Sequence, residues 1–148
     1  MLFGWINHHF IYLLRVAMKG MYNVLVIEDD SFIRKVLRRT MDQEFAIVTK
    51  ENGFEGLQWL EEGNPVDIVL LDIQMPHMDG REFITVLRAS PVFGRLPIIM
   101  LSGSTDSDTR ITYLNMGADD YISKPFNPLE IKTKINTLLR RIDYSRVD

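Results

Sequence analysis

The residues best suited to chemistry are polar groups placed at the ends of apolar runs. Asp72 closes Ile68-Val69-Leu70-Leu71, and Glu28 and Asp29 follow Val24-Leu25-Val26-Ile27 without a spacer. Ser102 and Lys124 each end a further short run, Pro97 to Leu101 and Tyr121 to Ser123. Carboxylates brought together repel and raise one another's pKa, so a trio is tolerable only beside a compensating cation. A hard divalent ion such as Mg²⁺ meets that need and keeps waters that a phosphate oxygen can displace. Lys124 adds a second positive group, and the Ser102 hydroxyl can donate to the same oxygens. A carboxylate flanked in this way is arranged as a nucleophile toward phosphorus, and Asp72 is the expected one.

Such a site needs a scaffold that gathers strand ends. Short apolar runs bounded by turn residues read as strands buried on both faces, as parallel sheets require. They alternate here with helical spacing: Ile33, Val36, Leu37 and Thr40 after the first run, then Phe54, Leu57 and Leu60 after a strand from Phe45 to Thr49. A third helix is expected from about Gly80 to Ala89, carrying Phe83, Ile84, Val86 and Leu87. A fourth should begin near Asp106 or Ser107, bury Ile111 and Leu114, and stop at Gly117. The last, from about Pro128 to Ile142, should bury Leu129, Ile131, Ile135 and Leu138, with Arg140 and Arg141 at its negative end. Five βα units imply an α/β fold, a doubly wound five-stranded parallel sheet with helices on both faces. The common order 2-1-3-4-5 of flavodoxin-like folds puts the switch point between strands one and three, where Glu28, Asp29 and Asp72 would converge.

Composition narrows the classes. The 148 residues, 46% hydrophobic and 25% charged, suit one globular domain with a full core. No cysteine is present, which removes disulfides and thiolate metal sites and agrees with a cytoplasmic location. A net charge of -3 and the lack of a helix-turn-helix segment or basic arm argue against nucleic-acid binding by this chain alone.

The charge is uneven. Residues 1–20 hold only Arg15 and Lys19, whereas the remainder carries all 20 acidic residues. This N-terminal extension, of unknown role, is too interrupted by Asn7, His8, His9 and Arg15 to span a membrane and lacks the plan of a signal peptide. Trp5, Phe10, Leu13, Leu14 and Ala17 could line one helix face that docks on the body, a partner or a membrane surface; an upstream start codon is the plain alternative. The expected division is therefore an extension at 1–20, a domain at 21–142 and a tail at 143–148.

Four motifs in order, Val24 to Asp30, Leu70 to Gly80, Ile99 to Gly103 and Asp120 to Phe126, resemble the receiver domain of two-component response regulators over roughly residues 22–142. The resemblance implies that Asp72 is the phosphoacceptor, served by a phosphohistidine on a histidine kinase or a histidine phosphotransfer protein. It implies Asp29 as a direct Mg²⁺ ligand, Glu28 as an acid behind it, and Gln74 as donor of a backbone carbonyl to the metal. Ser102 matches a switch hydroxyl and Tyr121 a switch aromatic, while Lys124, with a cis bond to Pro125, matches the lysine that pairs with the phosphoryl group. Gln74 and Ser104 lie where receivers tune the lifetime of that group. Phosphorylation would then bias a protein-binding surface over helix four, strand five and helix five. Two departures, Glu28-Asp29 in place of an Asp pair and Ser102 for the commoner threonine, should keep the chemistry.

Other residues read as structural. Asp79-Gly80 should be a turn and helix start, and Asp30 a helix cap more than a ligand. Arg34, Lys35, Arg38 and Arg39 read as a solvated face with a possible share in donor docking. Trp59 and Phe54 are expected in or near the core, and the three histidines on the surface. Two other functions compete with a stand-alone receiver. One is an aspartate-nucleophile phosphatase of the haloacid-dehalogenase type, against which Gln74 stands where a second Asp is needed. The other is a receiver fragment of a larger regulator or hybrid kinase.

Overall fold

The computed structural model describes residues 10, 14, 17 and 20–145, with side chains as far as Asp143. Five strands, β1 (Tyr22–Ile27), β2 (Phe45–Lys50), β3 (Ile68–Asp72), β4 (Ile98–Ser102) and β5 (Asp120–Ser123), form one parallel sheet in the order β2-β1-β3-β4-β5. The helices between and after them are α1 (Ser31–Met41), α2 (Gly53–Glu61), α3 (Gly80–Ala89), α4 (Ser107–Asn115) and α5 (Pro128–Ser145). Fold class and strand order are as expected.

Alternation along each strand splits the core in two. Val24, Val26, Ile68, Leu70, Ile99 and Leu101 pack against Leu37 and Met41 of α1 and Ile131, Ile135 and Leu139 of α5. Leu25, Ile27, Val69, Leu71, Ile98 and Met100 turn the other way, onto Leu60 of α2, Phe83, Ile84 and Leu87 of α3, and Tyr113 of α4. With both faces covered, the inner strands have to be apolar throughout, which is why they read as unbroken runs. The pairing also aligns the strand ends, with Ile27 beside Leu71, Asp72 beside Leu101 and Ser102 beside Ser123.

Several helix faces differ from expectation. Phe54 is 61% exposed because α2 turns Gly53, Gly56 and Leu60 inward instead; a Cβ on Gly56 would lie 2.4 Å from Ile27 Cδ1, and Gly53 lies against Met78. Trp59 does pack on the core, as expected. In α4 the buried residue is Tyr113, and Ile111 and Leu114 are exposed, since a helix so weakly amphipathic takes its rotation from its neighbours. Leu129, in the first turn of α5, is exposed, and the buried stripe is Ile131, Ile135 and Leu139. That helix continues to Ser145, as no glycine or proline interrupts it. Phe10, Leu14 and Ala17 are helical with exposed side chains, whereas Trp5 and Leu13 of the expected docking face lie outside the described residues, as do His8 and His9.

Caps hold the helices where sequence placed them. Asp30 accepts from the amides of Phe32 and Ile33 at 2.8 and 3.2 Å, and Asp79 accepts from Glu82 N at 2.9 Å. Gly117 ends α4 with a φ of 109°, where a side chain would be strained.

Candidate functional site

A cleft of about 850 Å³ opens at the carboxyl ends of β1, β3, β4 and β5, and its lining includes Glu28, Asp29, Asp72, Gln74, Ser102 and Lys124. All of the expected site residues except Tyr121 line it directly. Sequence order keeps these groups far apart; the strand order brings them together.

Each side chain is fixed by its element. Asp72 is the last residue of β3 and only 4% exposed. The loop after it turns back at once, with Gly80 N donating to Ile73 O at 2.8 Å. At Gly80 any Cβ would sit 2.4 Å from Asp72 O, so only glycine allows α3 to begin against the backbone of that aspartate. Lys124 follows β5, whose register carries its amide to Ser102 O at 2.6 Å, and its bond to Pro125 is cis as expected. Its Nζ stands between two acids, 2.9 Å from Glu28 Oε2 and 3.1 Å from Asp72 Oδ1.

The electrostatics are those of a site short of positive charge. Burial raises the Glu28 carboxyl to about 7, and the Asp72 charge pushes in the same direction while the Lys124 bond draws it back. Burial likewise raises the pKa of Asp72 against the pull of Lys124. For Lys124 burial disfavours the ammonium, but its bond to Glu28 and the two carboxylate charges outweigh this and raise its pKa. Carboxylate oxygens of Glu28, Asp29 and Asp72 lie within 4.8 Å of one another. Three carboxylates whose mutual repulsion Lys124 relieves only in part fit a Mg²⁺ ion.

In the wall of the cleft, Ser104 links the two expected switch residues. Its amide donates to Ser102 Oγ at 3.1 Å, and its carbonyl accepts from the Tyr121 hydroxyl at 3.0 Å. The Tyr121 ring is buried.

Sequence reasoning overlooked three neighbours of this site. Thr109 and Tyr113 of α4 also line the cleft. Arg34, expected on a solvated face, turns its guanidinium back onto the β1–α1 turn, where Nη1 donates to both Glu28 O and Asp29 O at 2.8 Å. Its position six residues after Glu28, in the first turn of the following helix, was the available signal.

Comparison with known proteins agrees with this geometry. The family model described as response regulator receiver domain matches residues 24–136. The transcriptional regulatory protein ResD of Bacillus subtilis is 39% identical over 119 residues, covering 80% of this chain and 48% of that protein. The chain spans about half the length of the curated relatives it matches. Among solved structures, the receiver domain of the Francisella response regulator 1452 superposes with a TM-score of 0.76 at 29% identity, over 82% of this chain and 98% of that one. Vibrio cholerae chemotaxis protein CheY4 superposes with a TM-score of 0.72 at 28% identity, over 79% and 98% respectively.

Proposed function

The chain belongs to the response regulator receiver domain family, the signalling domain of two-component systems, and on that premise we propose that Asp72 is its phosphoacceptor. The observation that carries this is the bridge of Lys124 between Asp72 and Glu28 inside an acidic trio at the strand ends. An Asp72 oxygen attacks the phosphorus of a phosphohistidine on a histidine kinase or phosphotransfer protein. The P–O bond forms as the P–N bond breaks, and the electron pair returns to the imidazole nitrogen. Asp29 and Asp72, with the Gln74 carbonyl and with Glu28 behind them, would hold Mg²⁺. The ion, when bound, neutralises charge on the transferred oxygens.

The remaining steps belong to this chain's own groups. Lys124 pairs with the new phosphoryl oxygens, and Ser102 swings its hydroxyl toward them. Ser104 passes that movement to Tyr121, and the surface of α4, β5 and α5 changes its preference for a downstream protein. The domain acts by switching, with at most slow self-catalysed gain and loss of the phosphoryl group. Among the described residues no helix is long and apolar enough to cross a membrane.

The half-length coverage favours one further reading, that this receiver regulates an output region carried by a longer protein, in keeping with the name of ResD, a transcriptional regulatory protein. Intact-mass measurement after incubation with acetyl phosphate and Mg²⁺ tests the central claim. One phosphoryl adduct is expected on the native protein and none on Asp72→Asn; an adduct of equal yield on that variant would overturn it.

A further inference from the structure

The β1 ladder ends with Glu28 N donating to Lys50 O at 3.0 Å, and beyond that bond, among the described residues, no backbone amide of a neighbouring strand reaches the carbonyls of Glu28 and Asp29. Both are taken by a single donor. Arg34 Nη1 lies 2.8 Å from each, and the same guanidinium reaches Glu51 Oε1 through Nη2 at 3.4 Å. The Arg34 side chain is only 16% exposed, although it sits on a helix whose other basic residues, Lys35, Arg38 and Arg39, face solvent. The two residues whose backbone it grips are those that send acids into the cleft.

From this juxtaposition we infer that Arg34 is a positioning residue for the metal: it locks the β1–α1 turn so that the Glu28 and Asp29 carboxylates are preset for Mg²⁺. The inference builds on the phosphoacceptor reading and names a part of it that the acids alone do not supply. Two features argue that Arg34 works through geometry and not through its charge. Nη1, the donor that faces the site, points at the carbonyls of Glu28 and Asp29 and not at their carboxylates. A bare positive charge beside a cation site would also weaken binding of a second cation, the opposite of a useful effect. Arginine suits the task because its planar guanidinium keeps Nη1 between two carbonyls while Nη2 reaches elsewhere; a lysine ammonium is a point on a flexible stem.

The test is Mg²⁺ affinity, read from the shift of thermal midpoint in a Mg²⁺ titration of the full chain without any phosphodonor. Arg34→Gln should raise the Mg²⁺ dissociation constant about tenfold, the loss expected when an outer partner of metal ligands is removed. Arg34→Lys should fall between that variant and the native protein, and Glu51→Gln, which removes only the exposed outer ion pair, should match the native protein. Uptake of phosphoryl from acetyl phosphate supplies a second reading. In Arg34→Lys and Arg34→Gln it should be slowed at low Mg²⁺ and recover at saturating Mg²⁺, a rescue that mere loss of folding would not give. Native-like Mg²⁺ affinity in both Arg34 variants would overturn the inference and leave the phosphoacceptor reading standing. Failure of the native protein itself to bind Mg²⁺ would bring down both. Should Arg34→Gln not fold, Arg34→Lys alone decides between these outcomes.

Discussion

Two half-buried cations clamp opposite ends of the sheet, and they are built differently. At the carboxyl end Lys124 is held by two carboxylates whose pKa values burial has raised. At the other end Arg88 of α3 donates Nε and Nη2 to Gly117 O at 2.9 and 2.7 Å and Nη1 to Leu96 O at 2.7 Å. It also meets Asp119, whose Oδ2 is shared with the amide of Ile98 at 2.9 Å. The Arg88 cluster is complete: carbonyls take the protons, one acid balances the charge, and nothing repels. The Lys124 cluster holds more acid than base and is relieved only when further positive charge arrives. The first arrangement fastens loops together, while the second is suited to bind and react. A partly buried cation with its partners is therefore not one kind of object, and the balance of those partners tells a fastener from a reactive site.

The sharpest way to break this contrast is to remove each cation in turn. Lys124→Met should slow phosphoryl uptake from acetyl phosphate by about 10²-fold or more, as losing a positive group aimed at transferred oxygens does elsewhere. It should leave the urea midpoint of the metal-free protein almost in place, because the acids it abandons can protonate. Arg88→Ala should do the reverse. The carbonyls of Gly94, Leu96 and Gly117 lose their donor, and unfolding in urea should show a loss of about 3 kcal/mol with an intact phosphoryl adduct. Equal effects of the two substitutions on both measurements would refute the distinction.

Acidity sharpens it further. The folded pKa of Glu28, about 7, stands above its ordinary 4.5. The stability Glu28 confers is therefore complete below about pH 4.5 and is lost as pH rises toward 7. Without Mg²⁺, the native protein should lose on the order of 2 kcal/mol relative to Glu28→Gln across that window. Saturating Mg²⁺ should shrink the loss, and urea titrations at several pH values measure both. The smallest effect belongs to the completed cluster. Asp119→Asn keeps an oxygen for Ile98 N and sacrifices only a half-exposed charge, so about 0.5 kcal/mol of stability is expected to go. A change as large as that of Arg88→Ala would mean that the clamp depends on its ion pair more than on its carbonyls.

Much of the phosphoacceptor end was legible before any coordinates. Asp72, Glu28 and Asp29 each stop an apolar run, and Asp30, Asp79 and Gly117 carry cap chemistry that acts within a few residues. The rest was hidden for a different reason. Phe54 read as core because aromatic residues usually are, yet α2 approaches the sheet along its glycines, a choice made by the space Ile27 leaves. The closely spaced apolar residues Ile111, Tyr113 and Leu114 are compatible with more than one rotation of α4, and packing selected Tyr113.

What the sequence determined by itself is whatever depends on neighbours along the chain: the strands, the turns that end them, the caps, and hence the α/β order with acids at strand ends. What only the tertiary structure decided is the employment of its long cations. Arg34 and Arg88 look like surface residues in one dimension because their partners are backbone carbonyls, which every residue carries and no side-chain pattern marks. Lys124 was easier to place, since its partners are themselves distinctive side chains. A hydrogen bond to a carbonyl leaves no trace in composition, so its location is fixed only when the chain has folded and shown which carbonyls lack a strand or helix to answer them.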